Sequence, residues 1–109
     1  MKILFDNGTP NPIAHSLAGH EVVFARQVGW QELKNGDLLR HAEQAGFDLI
    51  LTSDKNMRYQ QNLSRQRIAI VILGNQQWPD VRLQLGLIVG AITAALPGSV
   101  TEVPIPHME

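Results

Sequence analysis

Asp48-Leu49-Ile50-Leu51-Thr52-Ser53-Asp54 is a short apolar run that passes through two hydroxyl residues into an acid. Near-continuous apolar runs of this kind mark strands buried on both faces, as in parallel sheets, and not strands with one wet face. Lys2-Ile3-Leu4-Phe5 repeats the pattern and runs directly into Asp6. An ionised carboxylate is costly to bury alone, so an acid at the tip of such a strand belongs in a solvated crevice, which is where open α/β sheets bind ligands. The two runs therefore predict a parallel sheet with Asp6 and Asp54 on one edge.

Working outward, Ile68-Ala69-Ile70-Val71-Ile72-Leu73 is the strongest strand signal, a β-branched run expected at the sheet's centre. After Asp6, the Asn7-Gly8 pair would favour a hairpin, but Pro10 and Pro12 prevent a following strand. The better reading is a helix capped by Asn11 and stopped by Gly19. Glu21 to Phe24 reads as a strand, and Arg26 to Gly36 as an irregular loop. From about Asp37 to Ala45, Leu38, Leu39, Ala42 and Ala45 share one helical face, with Gly46 as terminator. Asp54 to Gln66 is polar, with room for a short helix. Pro79 opens a long helix with the stripe Val81, Leu85, Ile88, Ile92 and Ala95, closed by Pro97-Gly98. Val100 to Val103 reads as an edge strand, confined there by Pro104 and Pro106. The alternation predicts an α/β fold, a three-layer α/β/α arrangement with a mostly parallel central sheet of about four to five strands.

With 109 residues the chain is expected to be a single domain, 1–109. Nine Lys and Arg against ten Asp and Glu leave no global basic field, so any contact with nucleic acid must come from a local patch. The absence of cysteine removes disulfides, cysteine-zinc sites and thiol nucleophiles, and fits a reducing compartment. No apolar stretch is long enough for a signal peptide or a membrane span, so a cytoplasmic domain with no membrane partner is the expectation.

Asp6, Asp37 and Asp54 come from two strand ends and one helix start. Three such carboxylates are about what a magnesium or manganese site uses when water and phosphate complete the octahedron. Oxygen ligands suit a hard divalent cation, which can activate water during phosphodiester hydrolysis. Taken singly, each acid also has an ordinary role: Asp37 in a first helical turn, Asp6 in a turn, Asp54 at the start of a loop. On the residues alone both readings stand. No glycine-rich phosphate loop and no nucleophile elbow is present. His15, His20, His41 and His107 read as surface or capping residues, and Trp30 and Trp78 either close the core edge or stack a base.

Ile3-Leu4-Phe5-Asp6-Asn7-Gly8-Thr9-Pro10, Asn35-Gly36-Asp37-Leu38-Leu39 and Leu51-Thr52-Ser53-Asp54-Lys55-Asn56, in that order, resemble the compact PIN-like family, small relatives of the PIN ribonucleases and VapC-type toxins. The resemblance spans nearly the whole chain. It implies a PIN-type fold, acids gathered at the carboxyl edge of the sheet around Mg2+ or Mn2+, and cleavage of RNA. Asp6, Asp37 and Asp54 match the family's acids, and Thr52 matches the threonine that orients the last of them. Relatives often carry further acids where this chain has Asn7 and Asn56, whose amide oxygens are weaker ligands. Asp80 is a further candidate ligand if the loop Gly74-Asn75-Gln76-Gln77-Trp78 folds over the site. Lys55, Arg58, Arg65 and Arg67 form a candidate RNA-binding patch, with Tyr59 interleaved.

The leading expectation is a metal-dependent ribonuclease, the toxin component of a toxin–antitoxin system, with an antitoxin protein as partner and homodimerisation open. The alternative is a catalytically weak or inactive PIN-like module that binds RNA or a protein partner. A receiver-like signalling domain also places acids at these strand ends, but the lysine it needs at a later strand end is replaced by Leu73-Gly74-Asn75.

Overall fold

The computed structural model describes residues 1–62 and 67–107. Five strands form one sheet in the order β2-β1-β3-β4-β5, and every neighbouring pair is parallel. They are β1 (Lys2–Phe5), β2 (Glu21–Phe24), β3 (Leu49–Thr52), β4 (Ala69–Leu73) and β5 (Val100–Val103). The α/β class and the parallel sheet agree with the sequence reading. The β-branched strand β4 lies one place off centre, between β3 and β5, and β3 takes the middle. Both strands are buried at every position, so burial does not distinguish them and the connections decide which is central.

Alternation along the strands divides the core. Ile3, Phe5, Leu49, Leu51, Val71 and Leu73 pack on one face with Ile13, Val81, Ile88 and Ile92. Leu4, Ile50, Ile70 and Ile72 point to the other, against Leu38, Leu39, Ala42 and Met57. Helical elements thus cover both faces, as a sheet of doubly buried strands requires.

The helices depart from expectation in detail. The first, Asn11–Ser16, is 3-10 and follows Pro10, with no side-chain cap from Asn11. A second 3-10 turn, Ala25–Val28, begins the segment read as irregular. Helix α1 spans Asn35–Gln44, starting earlier than the apolar face alone suggested. A 3-10 segment, Lys55–Asn62, follows β3. The expected long last helix is broken into α2 (Trp78–Val81), a 3-10 turn at Arg82–Gln84 and α3 (Leu85–Ala94). The buried anchors Val81, Ile88 and Ile92 hold both pieces on the sheet. Among the described residues no helix is long and apolar enough to cross a membrane.

Because Ile50 is fully buried in the central strand, Ile50→Ala should cost about 2–5 kcal/mol of unfolding free energy. Urea denaturation of the two proteins checks this.

Candidate functional site

From β1 the chain crosses to β2 on one side and then to β3 on the other, so consecutive connections diverge beyond the carboxyl ends of β1 and β3. Sheets of this kind open a crevice at that point. Asp6 follows the last residue of β1, and Asp54 lies just beyond the last residue of β3. The loop carrying Asp6 is pinned to β3. The Asp6 N–H donates to the Leu51 carbonyl at 3.0 Å, and the buried Thr9 hydroxyl donates to the same oxygen at 3.1 Å. Thr9 N–H closes the turn on the Asp6 carbonyl at 3.1 Å.

Thr52 links the two acids. Its hydroxyl donates to Asp6 Oδ2 at 2.7 Å and accepts the Asp54 N–H at 3.0 Å. Asn7 N–H donates to Asp6 Oδ1 at 2.7 Å, and Asn56 N–H donates to Asp54 Oδ1 at 2.9 Å. Burial pushes the Asp6 carboxyl above the usual aspartate range; the hydrogen bonds from Thr52 and Asn7 oppose this, and the Asp54 charge adds to it. Among the described residues neither Asp6 nor Asp54 has an ion-pair partner. Two adjoining carboxylates, one of them partly desolvated, make a place where a cation is favoured.

The remaining candidates are placed differently. Asp37 stands exposed in the first turn of α1, ion-paired with Arg40 one turn on, and does not complete a triad. Among the described residues no group of three or more His, Cys, Asp or Glu is arranged to hold a metal ion. The structure brings together two carboxylates, Asp6 and Asp54, and a hard divalent ion held by two carboxylates needs water or phosphate oxygens for its other positions. Asn7 is turned partly to the next loop, its Nδ2 donating to the Gln31 carbonyl at 2.7 Å, and the side chain of Asn56 is exposed. Asp80 is buried and engaged elsewhere, with Asn75 Nδ2 at 3.4 Å and His107 Nδ1 at 3.0 Å from its Oδ2.

The loop after β4 does fold over the crevice, but it delivers Gln76 instead of Asp80. Gln76 Oε1 accepts the Ser53 hydroxyl at 2.8 Å and lies over Gly8, where a Cβ would approach it to 2.5 Å. Gly8 has φ +85°, a backbone conformation that calls for glycine there. Sequence reasoning passed over Gln76; the run Asn75-Gln76-Gln77 directly beyond a buried strand was the available signal.

The cationic patch is smaller than expected. Lys55 and Arg58 border a cleft of about 390 Å³ beside β4 and β5, where Arg58 pairs with Glu102. Arg67 precedes β4 at the opposite edge of the sheet, its N–H donating to Glu43 Oε2 at 2.8 Å. Arg65 lies outside the described residues. Tyr59 is 65% exposed, with the Arg58 guanidinium 5.8 Å from its ring centre. Trp30 meets Phe47 and His41 edge to face, and Trp78 packs against the core, so both tryptophans close core edges.

Compared with family models, curated proteins and solved structures, the chain matches none.

The elevated Asp6 value means that the folded state holds this proton more tightly than the unfolded chain. The resulting stabilisation is present below the ordinary aspartate range and is lost as pH rises through the folded-state value. Asp6→Asn removes the charge and keeps one acceptor oxygen for the Asn7 N–H, while its NH2 faces the Thr52 hydroxyl oxygen. In chelator, it is expected to raise the urea midpoint at pH 7 and to lose that advantage at pH ~3, below the unperturbed aspartate value of roughly 3.9. An unchanged midpoint at pH 7 would contradict the account of Asp6.

Proposed function

We propose that the chain is a metal-dependent ribonuclease of the PIN-like type, with Asp6 and Asp54 as its metal-binding carboxylates. The observation that carries this reading is the Asp6–Thr52–Asp54 arrangement at the diverging connections of β1 and β3. Mg2+ or Mn2+ bound there would supply charge neutralisation at a phosphodiester and a more acidic water. The chain's own part is positional. Thr52 holds the Asp6 carboxylate and the backbone of Asp54 in fixed relation, Asn7 and Asn56 N–H groups orient one oxygen of each acid, and Gln76 covers the crevice from the β4 side. Lys55 adds positive charge next to Asp54 for RNA phosphates, and Arg58 would do so only on exchanging Glu102 for phosphate. In the biological form suggested by the same resemblance, the chain is a toxin and an antitoxin protein is its partner.

The engagement of Asp37 by Arg40, together with neutral Asn7 and Asn56, favours one other reading: a PIN-like module with weak or no cleavage that binds RNA or a protein partner.

The purified protein should cleave a mixed single-stranded RNA pool in Mg2+ or Mn2+. Asp54→Ala should lose more than the roughly 10–100-fold that removing an outer-shell partner of a metal costs. Asp37→Ala should retain most of the rate. Equal cleavage by Asp54→Ala would remove that residue from the site, and salt-sensitive RNA binding with no products from any protein would establish the second reading.

A further inference from the structure

On the side of Asp6 away from Asp54, the sheet edge opens into a second cleft, of about 340 Å³. One wall is the loop that begins at Asp6; the other is Phe24 at the tip of β2, followed by Arg26 and Gln27, with Asn11 also lining the space. The volume is at the small end of the roughly 300–1,000 Å³ typical of ligand sites, enough for one small unit and too little for a duplex.

The wall chemistry is mixed in a specific way. Phe24 is half-buried and braced edge to face by Phe5, with ring centres 5.4 Å apart at 85°, so its ring is a fixed apolar surface. The exposed Arg26 has no ion-pair partner among the described residues. Gln27 Oε1 accepts the Phe24 N–H at 2.9 Å, which leaves its amide NH2 as a donor. A rigid aromatic surface, a cation and an amide donor beside a carboxylate pair match the base, phosphate and base edge of a nucleotide.

We infer that this cleft seats one nucleotide of a single-stranded RNA, its base against Phe24 and its phosphate on Arg26. The inference rests on the ribonuclease reading for the position of the phosphodiester to be cut. It puts the two cationic points on opposite flanks of the acids. Strands lie about 4.8 Å apart, so the four steps from β2 to β5 span roughly 19 Å. An RNA strand lying from Arg26 to Lys55, at the cleft beside β4 and β5, passes Asp6 and Asp54 on the way.

The test is fluorescence anisotropy of a short, labelled, mixed-sequence single-stranded oligoribonucleotide with the full chain in chelator, over a range of salt. Arg26→Gln is expected to weaken binding and to reduce the slope of log affinity against log salt by about 0.7, the value for one single-strand phosphate contact. Arg26→Lys should restore the slope. Phe24→Leu, close in volume, should weaken binding about fivefold or more through lost stacking. Wild-type affinity and slope in Arg26→Gln and Phe24→Leu, with far-UV circular dichroism unchanged, would overturn the inference, as would no binding by the wild-type chain. The same proteins separate it from the nuclease reading. Arg26-dependent binding without cleavage in Mg2+ or Mn2+ keeps the cleft and removes the nuclease; cleavage with KM unchanged in Arg26→Gln does the reverse.

Discussion

The parallel pairing of β1 with β3 is the constraint on which the rest of the molecule depends. Ile3 lies opposite Leu49 and Phe5 opposite Leu51, and this register brings the residue after β1 level with the end of β3. A shift of one residue would turn every side chain of one strand to the wrong layer and expose half the core. It would also carry Asp6 out of reach of the Thr52 hydroxyl. Packing and site geometry are therefore set by one register, and the energy that specifies it comes from both hydrophobic layers.

The edge that this pairing builds is locally unfavourable to the fold. Asp6 is partly desolvated beside another carboxylate, and Gly8 adopts a backbone conformation that few other residues tolerate. Both features are expected where a fold sets aside stability for a site. The surroundings compensate by fixing the loop: Thr9 is buried with its hydroxyl satisfied, and Asn7 ties the turn to the Gln31 carbonyl. The same edge is rigid in backbone and unfavourable in charge, the combination a cation would relieve.

How much was legible in the sequence follows from the range of the forces involved. The strands β1, β3 and β4 and the acids at two of their tips were readable because burial on both faces writes itself into consecutive residues. The resemblance pointed to Thr52 beside Asp54, a contact two residues long, but not to its bond with Asp6, which comes from another strand. Asp37 was placed correctly at the start of a helix, but its engagement by Arg40 depends on side-chain choice across an exposed helical turn, which spacing permits without requiring. Arg67 was grouped with Lys55 and Arg58 because they are near in sequence. A crossover carries the chain from one edge of a parallel sheet to the other, so proximity along the chain separates them in space. Gln76 was missed because loop conformation depends on its contacts with Ser53 and Gly8, which come from distant strands. The break between α2 and α3 was hidden by an apolar stripe that survives it.

The residues after β5 return along the loop beyond β4. Gly74 lacks a Cβ just where the Ile105 nitrogen would meet it at 2.8 Å, Asn75 Nδ2 donates to the Ile105 carbonyl at 2.8 Å, and Ile105 itself is buried. Met1, by contrast, lies at the amino edge, where its carbonyl accepts the Glu21 N–H. The two ends of the described chain thus leave from opposite rims of the sheet. The described chain ends with His107 against Asp80, near the loop that carries Gln76, whereas Met1 lies behind the acids. A tag or tether on Met1 is therefore held at the rim opposite the acids and leaves the crevice open to solvent.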